Sequence, residues 1–160
     1  MTQNIIIEKL DKIFYECDKH LLRINSSSKK LDSIMPLDEK KYLNLTEDEI
    51  QVLDQFLFRF GKLQDAMGQK LFKIMLIFLS EDIEGKPFID ILNIMEKVSL
   101  IDDVNEWKEL RDDRNELAHN YEDEAEEMSE IINKLYNKRI TLSDIYMKIK
   151  TYYKSKTEDN

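Results

Sequence analysis

From Ile50 to Phe78 a seam residue returns at alternating intervals of three and four: Ile50, Leu53, Leu57, Phe60, Gln64, Met67, Leu71, Ile74 and Phe78. A strand cannot use that spacing, because its faces alternate every second residue. A helix brings residues three and four apart onto one side. Sustained over about four heptads, the pattern predicts a helix packed nearly parallel or antiparallel to its neighbours. Thr46 followed by Glu49 supplies a capping box for its start. A straight helix from Glu47 to Glu81 outruns a compact domain of this size. Gly61 and Gly68 share a face of it and are expected either to admit another backbone or to mark a bend.

The remainder of the chain fits the same class. Glycine and proline number three and two among 160 residues, so breakers are scarce. The prediction is all-α: an antiparallel helical bundle of five or six helices, one domain over 1–160. The first helix is expected from Thr2 to Ile24, with Ile6, Leu10, Ile13, Phe14, Cys17, Leu21 and Ile24 on one face. A surface connection at about 26–45, rich in Ser and Lys and holding Pro36, is expected to pack loosely. Pro87 suits the first turn of a short amphipathic helix. Asp103 with Glu106 opens the next helix, and Asp123 with Glu126 opens another to about Asn137. A basic C-terminal helix is expected at about 141–155, with Leu142, Ile145, Tyr146, Ile149, Tyr152 and Tyr153 as its apolar side.

The formal charge of −9 excludes broad, non-specific binding of nucleic acid, which needs clustered cations. The charge is uneven, however. Glu122 to Glu130 carries six acids and no base, whereas Lys134, Lys138, Arg139, Lys148, Lys150, Lys154 and Lys156 face a single acid, Asp144. A solvated helix face is the expectation for that basic tail. The longest apolar run, Ile74 to Leu79, is far too short to span a bilayer. Met1 to Asn4 lacks a basic leader region, and the lone Cys17 excludes an intrachain disulfide, so a cytoplasmic protein is expected. Cys17 and His20 are spaced for metal but are too few, and Cys17 falls on the apolar stripe; core packing is expected. Asp102–Asp103 and Asp112–Asp113 fit cap and solvent roles, and Tyr152–Tyr153 fits packing of a terminal helix rather than stacking on RNA bases. No glycine-rich phosphate loop is present.

The stretch "RDDRNELAHNY", Arg111 to Tyr121, is less ordinary. Trp107, Leu110, Leu117 and Tyr121 form a helical stripe, and Arg114 takes the place between the two leucines. A guanidinium cannot shed its charge, so burying it alone costs several kcal/mol, roughly the desolvation penalty of one ion. It needs a carboxylate, a set of carbonyls or an anion from outside. Asp112, Asp113 and Glu116 lie to hand on the same helix. His119 stands five residues on, about 140° around an ideal helix. A frayed last turn near Asn120 would swing the imidazole back, and Asn115 adds hydrogen bonds. Arginine, histidine and an amide around one spot suit a phosphodiester, with Arg114 for oxyanion charge and His119 for protons. The plainer roles are a snorkelling arginine, a histidine capping the helix end and a tyrosine closing the core.

At Arg114-Asn115-Glu116-Leu117-Ala118-His119 the chain resembles the HEPN superfamily, whose signature is an arginine, four to six residues, then a histidine. The further step to Tyr121 gives Arg-x4-His-x-Tyr, which resembles the HepT toxin branch. The resemblance implies a metal-independent endoribonuclease toxin, without a cofactor, in which the ribose 2′-hydroxyl attacks its own phosphate. Arg114 and His119 would be catalytic, with Asn115 and Arg111 as supporting, RNA-binding residues. It implies a homodimer with the motifs facing across a two-fold axis. It also implies an MntA-like nucleotidyltransferase antitoxin that attaches AMP to Tyr121. A second role is a non-catalytic partner that binds substrate for a nucleotidyltransferase. A third is a structural helical dimer, for which Arg114 would be paired with an internal acid, away from any cleft.

Overall fold

The computed structural model describes residues 2–119 and 123–158, and every regular element among them is helical. The elements are α1 (Gln3–Leu31), α2 (Glu39–Leu43), α3 (Glu47–Ala66), a π-helical turn (Met67–Leu71), α4 (Phe72–Phe78), α5 (Phe88–Lys97), α6 (Val104–His119) and α7 (Ala125–Thr157). The all-helical bundle predicted from the seam is what the chain forms.

Side-chain ties give the directions. Ser27, His20 and Glu16 on α1 meet Gln55, Arg59 and Lys70 in that order, so α1 runs antiparallel to α3 and its continuation. Ser28, Asp18 and Asp11 meet Tyr136, Tyr146 and Tyr153, so α7 also runs antiparallel to α1. Glu116, Glu109 and Asp102 meet Lys134, Lys138 and Lys148, which sets α6 against α7 in the same sense. Five of the seven bases of the predicted basic tail (Lys134, Lys138, Arg139, Lys148 and Lys150) thus pair with acids of α6, its leading loop, or α1 and its C-cap, and are not a free cationic face.

Thr46 and Glu49 form the capping box: the Glu49 N–H donates to Thr46 Oγ1 at 3.1 Å, and the Thr46 N–H donates to Glu49 Oε1 at 2.8 Å. The seam behind it differs from a single straight stripe. Leu53, Phe56, Phe60, Leu63 and Gln64 are buried along α3, then Met67 and Leu71, then Phe72, Met75 and Leu76, while Ile50 is exposed and Leu57, Ile74 and Phe78 are half-buried. The extra residue of the wide π turn shifts the inward face midway along the rod. Gly68 lies inside that turn, but neither glycine admits a backbone: a Cβ on Gly61 or Gly68 would meet side chains of α6.

Two predicted boundaries are corrected. α1 continues past Ile24 to Leu31, and the rest of the 26–45 connection, mostly exposed, holds the short helix α2 and is tied down at Leu37. Ser27 and Ser28 are buried because they are small where α3 and α7 approach, and each is satisfied: Ser27 Oγ donates to Gln55 Oε1 at 3.2 Å and Ser28 Oγ to the Asn25 carbonyl at 3.1 Å. Leu37 is buried and exchanges two 2.8 Å hydrogen bonds with the Asn133 amide. The expected pair of helices after Asp123 is one, α7, with no break near Asn137. Nothing at Lys138-Arg139-Ile140 opposes helix, and burial of Leu135, Tyr136, Leu142 and Ile145 holds both halves to the same core.

α4 and α5 end alike. Ser80 and Ser99 take the left-handed region at φ 64°, and the N–H groups of Glu81 and Leu100 reach back to the carbonyls of Leu76 and Met95 at 2.9 Å. This is the usual glycine-type helix stop, made with serine. Among the described residues, no helix is long and apolar enough to cross a membrane.

Candidate functional site

α6 is aimed by its first turn. Glu96 Oε2 accepts from the Val104 N–H at 2.8 Å, and Asp103 Oδ1 accepts from the Asn105 N–H at 2.8 Å. These carboxylates satisfy donors that a helix start leaves open. Val104, Trp107 and Leu110 then drive into the core, with the Trp107 ring edge-on to Phe72 at 4.6 Å. Trp107 fits because Gly68 has no side chain: a Cβ there would come within 3.0 Å of Trp107 Cζ2.

Beyond Leu110 no described residue of α6 is buried. Arg114 and Leu117 are half-buried, and Arg111, Asn115 and His119 are exposed. Arg114 lies across α3 and pairs end-on with Asp65, Nη1 to Oδ1 and Nη2 to Oδ2, the latter at 2.9 Å. A Cβ on Gly61 would fall 3.3 Å from Arg114 Nε and Nη2, so the guanidinium rests against bare backbone. The partner is therefore a carboxylate of α3, not Asp112, Asp113 or Glu116. Nor is Arg114 sealed in: its side chain is 38% exposed and that of Asp65 34%. In such a setting a bidentate pair contributes about 1 kcal/mol or less, and its main effect is to fix direction.

The Arg114–Asp65 pair is a divide between two depressions. On one side is a polar cleft of about 280 Å³, lined by Gln64, Gln69, Lys73, Phe88, Trp107, Arg111 and Asn115 together with the pair. On the other is a groove of about 400 Å³ with more apolar walls, among them Leu57, Phe58, Leu117 and Ala118. The Arg111 guanidinium lies 5.3 Å from the centre of the Phe88 ring. Lys73, Arg111 and Arg114 against Asp65 leave the polar cleft with an excess of positive charge. Asp113, half-buried on α6, has its carboxyl raised above the usual value, chiefly by burial, with Lys138 and Lys134 opposing.

The structure thus gathers Arg111, Arg114 and Asn115 at one cleft. It does not bring His119 there. The helix stays regular through His119, and that exposed residue lines neither depression, so the expected fraying of the last turn is corrected. Tyr121 lies outside the described residues. The signature of a purely structural arginine is met in half: Arg114 holds an acid, yet it borders clefts. Asp65, Gln69, Lys73 and Phe88 were not singled out by sequence reasoning. The available signal was Gln64, an amide on an otherwise apolar seam.

Elsewhere, Cys17 is fully buried and its thiol is raised to about 12, first by burial and then by Glu16 and Asp18. His20 Nδ1 lies 3.0 Å from Arg59 Nη1, and burial followed by Arg59 lowers its pKa. Among the described residues, no three or more His, Cys, Asp or Glu gather in a way that would hold a metal ion. Tyr153 is buried, stacked on Phe14 at 4.9 Å, with its hydroxyl donating to Asp11 Oδ1 at 2.9 Å. No protein-family model, curated protein or solved structure matches the chain.

Proposed function

We propose that the chain is a metal-independent endoribonuclease toxin of the HepT type, acting as a homodimer. The observation that carries this is the Arg114-x4-His119 motif on the unburied half of α6, with Arg114 at the edge of a cation-lined cleft. Arg114 has five N–H donors and gives two directions to Asp65, so it retains others for a phosphate. Asp65 acts as a positioning residue. In the reaction the 2′-hydroxyl oxygen bonds to phosphorus while the bond from phosphorus to the 5′-oxygen breaks. One base takes the 2′ proton and one acid protonates the leaving oxygen, giving a cyclic phosphate and a 5′-hydroxyl. Arg114 stabilises the charge on the phosphorane, and Asn115 and Arg111 hold the strand.

A single protomer does not place His119 beside Arg114, so a second copy has to bring its own imidazole to the cleft. The apolar groove beside Arg114, with Phe58 56% exposed, suits such a copy. Two histidines then divide the acid and base roles. Tyr121 is the acceptor for AMP from an MntA-like nucleotidyltransferase antitoxin, whose added phosphate repels RNA.

The pairing of Arg114 with Asp65 also favours a second reading: a non-catalytic HEPN-like subunit that binds substrate for a nucleotidyltransferase. One experiment separates them. Purified protein is incubated with RNA in the presence of a metal chelator. The ribonuclease reading expects cyclic phosphate ends, lost in both Arg114→Ala and His119→Ala. Wild-type protein that leaves RNA intact, or variants that cut as well as wild type, would remove that reading.

A further inference from the structure

Among the described residues, two buried side-chain polar atoms have no hydrogen-bond partner: the acceptor Gln64 Oε1 and the donor Trp107 Nε1. Their residues are 3% and 2% exposed, and both line the polar cleft beside Arg114. A buried polar atom left unpaired is destabilising, because it has given up water and gained no partner. Both residues border one cleft, and a ligand edge that carries a donor next to an acceptor would satisfy both atoms once it reaches them.

The surroundings narrow the ligand. Gly68 belongs to the π turn and lines the cleft, and its missing side chain lets Trp107 Cζ2 and Phe88 Cζ come within 3.0 and 3.7 Å of where its Cβ would stand. π turns inside helices frequently mark functional sites. The cleft is therefore walled by two aromatic rings and an amide. Lys73 and Arg111 are exposed on the same lining, and no ion pair engages either of them among the described residues. At about 280 Å³ the cleft lies at the small end of ligand pockets, which run roughly 300–1,000 Å³. That is room for one unit of a polymer.

We infer that this cleft holds a single nucleotide, its base edge hydrogen-bonded to Gln64 and Trp107 and its phosphate against Arg111 and Lys73. Every nucleobase offers a donor beside an acceptor, and the half-buried Phe88 ring supplies apolar surface beside it. As a substrate subsite, this assignment rests on the ribonuclease reading. There the pocket selects the base next to the phosphate that Arg114 receives, and so sets where RNA is cut.

Trp107 is the chain's single tryptophan, so its emission reports directly on the cleft. The purified full chain is titrated to millimolar concentration with AMP, GMP, CMP, UMP and, as a base-free control, ribose 5-phosphate. The expected result is a saturable change in which at least one nucleotide binds tenfold or more tightly than ribose 5-phosphate. Gln64→Leu should weaken that nucleotide tenfold or more. Arg111→Ala, an exposed change that leaves the core untouched, should weaken the nucleotide several-fold and the corresponding nucleoside hardly at all. Nucleotides that bind no better than ribose 5-phosphate overturn the assignment, as does wild-type affinity in folded Gln64→Leu. If Gln64→Leu fails to fold, the same nucleotide affinity in Arg111→Ala as in wild type overturns it. Nucleotide binding without RNA cleavage leaves the pocket standing and removes the ribonuclease reading; cleavage without nucleotide binding does the reverse.

Discussion

The two halves of α6 share one helical stripe and have opposite surroundings. Val104, Trp107 and Leu110 are buried, Trp107 at 2% exposure and Leu110 at 0%. From Arg111 to His119 nothing is buried, although Leu117 continues the spacing. The first half wedges the helix into the bundle. The second projects its side chains over clefts that α3 and the π turn help to line. One stripe therefore encodes an anchor followed by a presenting face, and the change falls at the arginine.

Substitutions in the two halves should separate cleanly, and the largest effect tests the anchor. Trp107→Ala removes a ring held between Gly68 and Phe72 and should lower stability by about 3–5 kcal/mol in denaturant titration. A loss under 1 kcal/mol would mean that the first half is not the wedge described. Arg114→Ala should do the opposite, costing about 1 kcal/mol or less of stability while cutting RNA cleavage roughly 10²–10³-fold, the usual penalty for losing one oxyanion donor. Equal losses in both measurements would erase the contrast between the halves.

Gly61→Ala sharpens it further. The new methyl sits 3.3 Å from Arg114 Nε, so the guanidinium has to give by a few tenths of an ångström against Asp65. Cleavage should fall roughly tenfold, as for a small misplacement of a charge-stabilising group, with the unfolding midpoint little changed. Activity at wild-type level would show that the Asp65-bound position is not the working one.

The smallest effect lies away from α6. His20 has its pKa lowered by burial and by Arg59 from an ordinary 6.5, so the folded state disfavours its proton. Stability is then full above the unfolded value near 6.5 and declines as pH falls from there toward the lower folded value. In His20→Gln, the fall in stability between pH 7 and pH 5 should be shallower than in wild type. An identical slope would assign that titration to other groups.

Much of this fold was legible because repeating patterns encode it. The seam from Leu53 to Leu71, the capping box at Thr46 and the inward half of α6 follow from spacing and from capping chemistry alone. The helical state of Ser26 to Leu31 was not legible, since serine is a poor helix former and the reason it stays helical is a contact with Gln55 and Tyr136 far along the chain. The continuity of α7 was missed for the same reason, because its middle is held by distant neighbours. At the site, Arg114 announced itself as a charge out of place. Asp65 did not, because an acid on a half-exposed helix face looks like any other until the facing helix is known. Gln64 was read as a seam member, and only burial without a partner sets it apart.

The π turn at Met67–Leu71 has a consequence for any attempt to shorten this rod. Each residue advances an α-helix by about 100°. Deleting Gln69 would convert the turn to ordinary helix and swing Phe72, Met75 and Leu76 a quarter-circle or more away from the sides that now receive them. The bundle would have to choose between seating those side chains and keeping the glycine notch opposite Trp107. An apparently spare residue is thus the gear tooth that lets one continuous rod mesh with two neighbours at once.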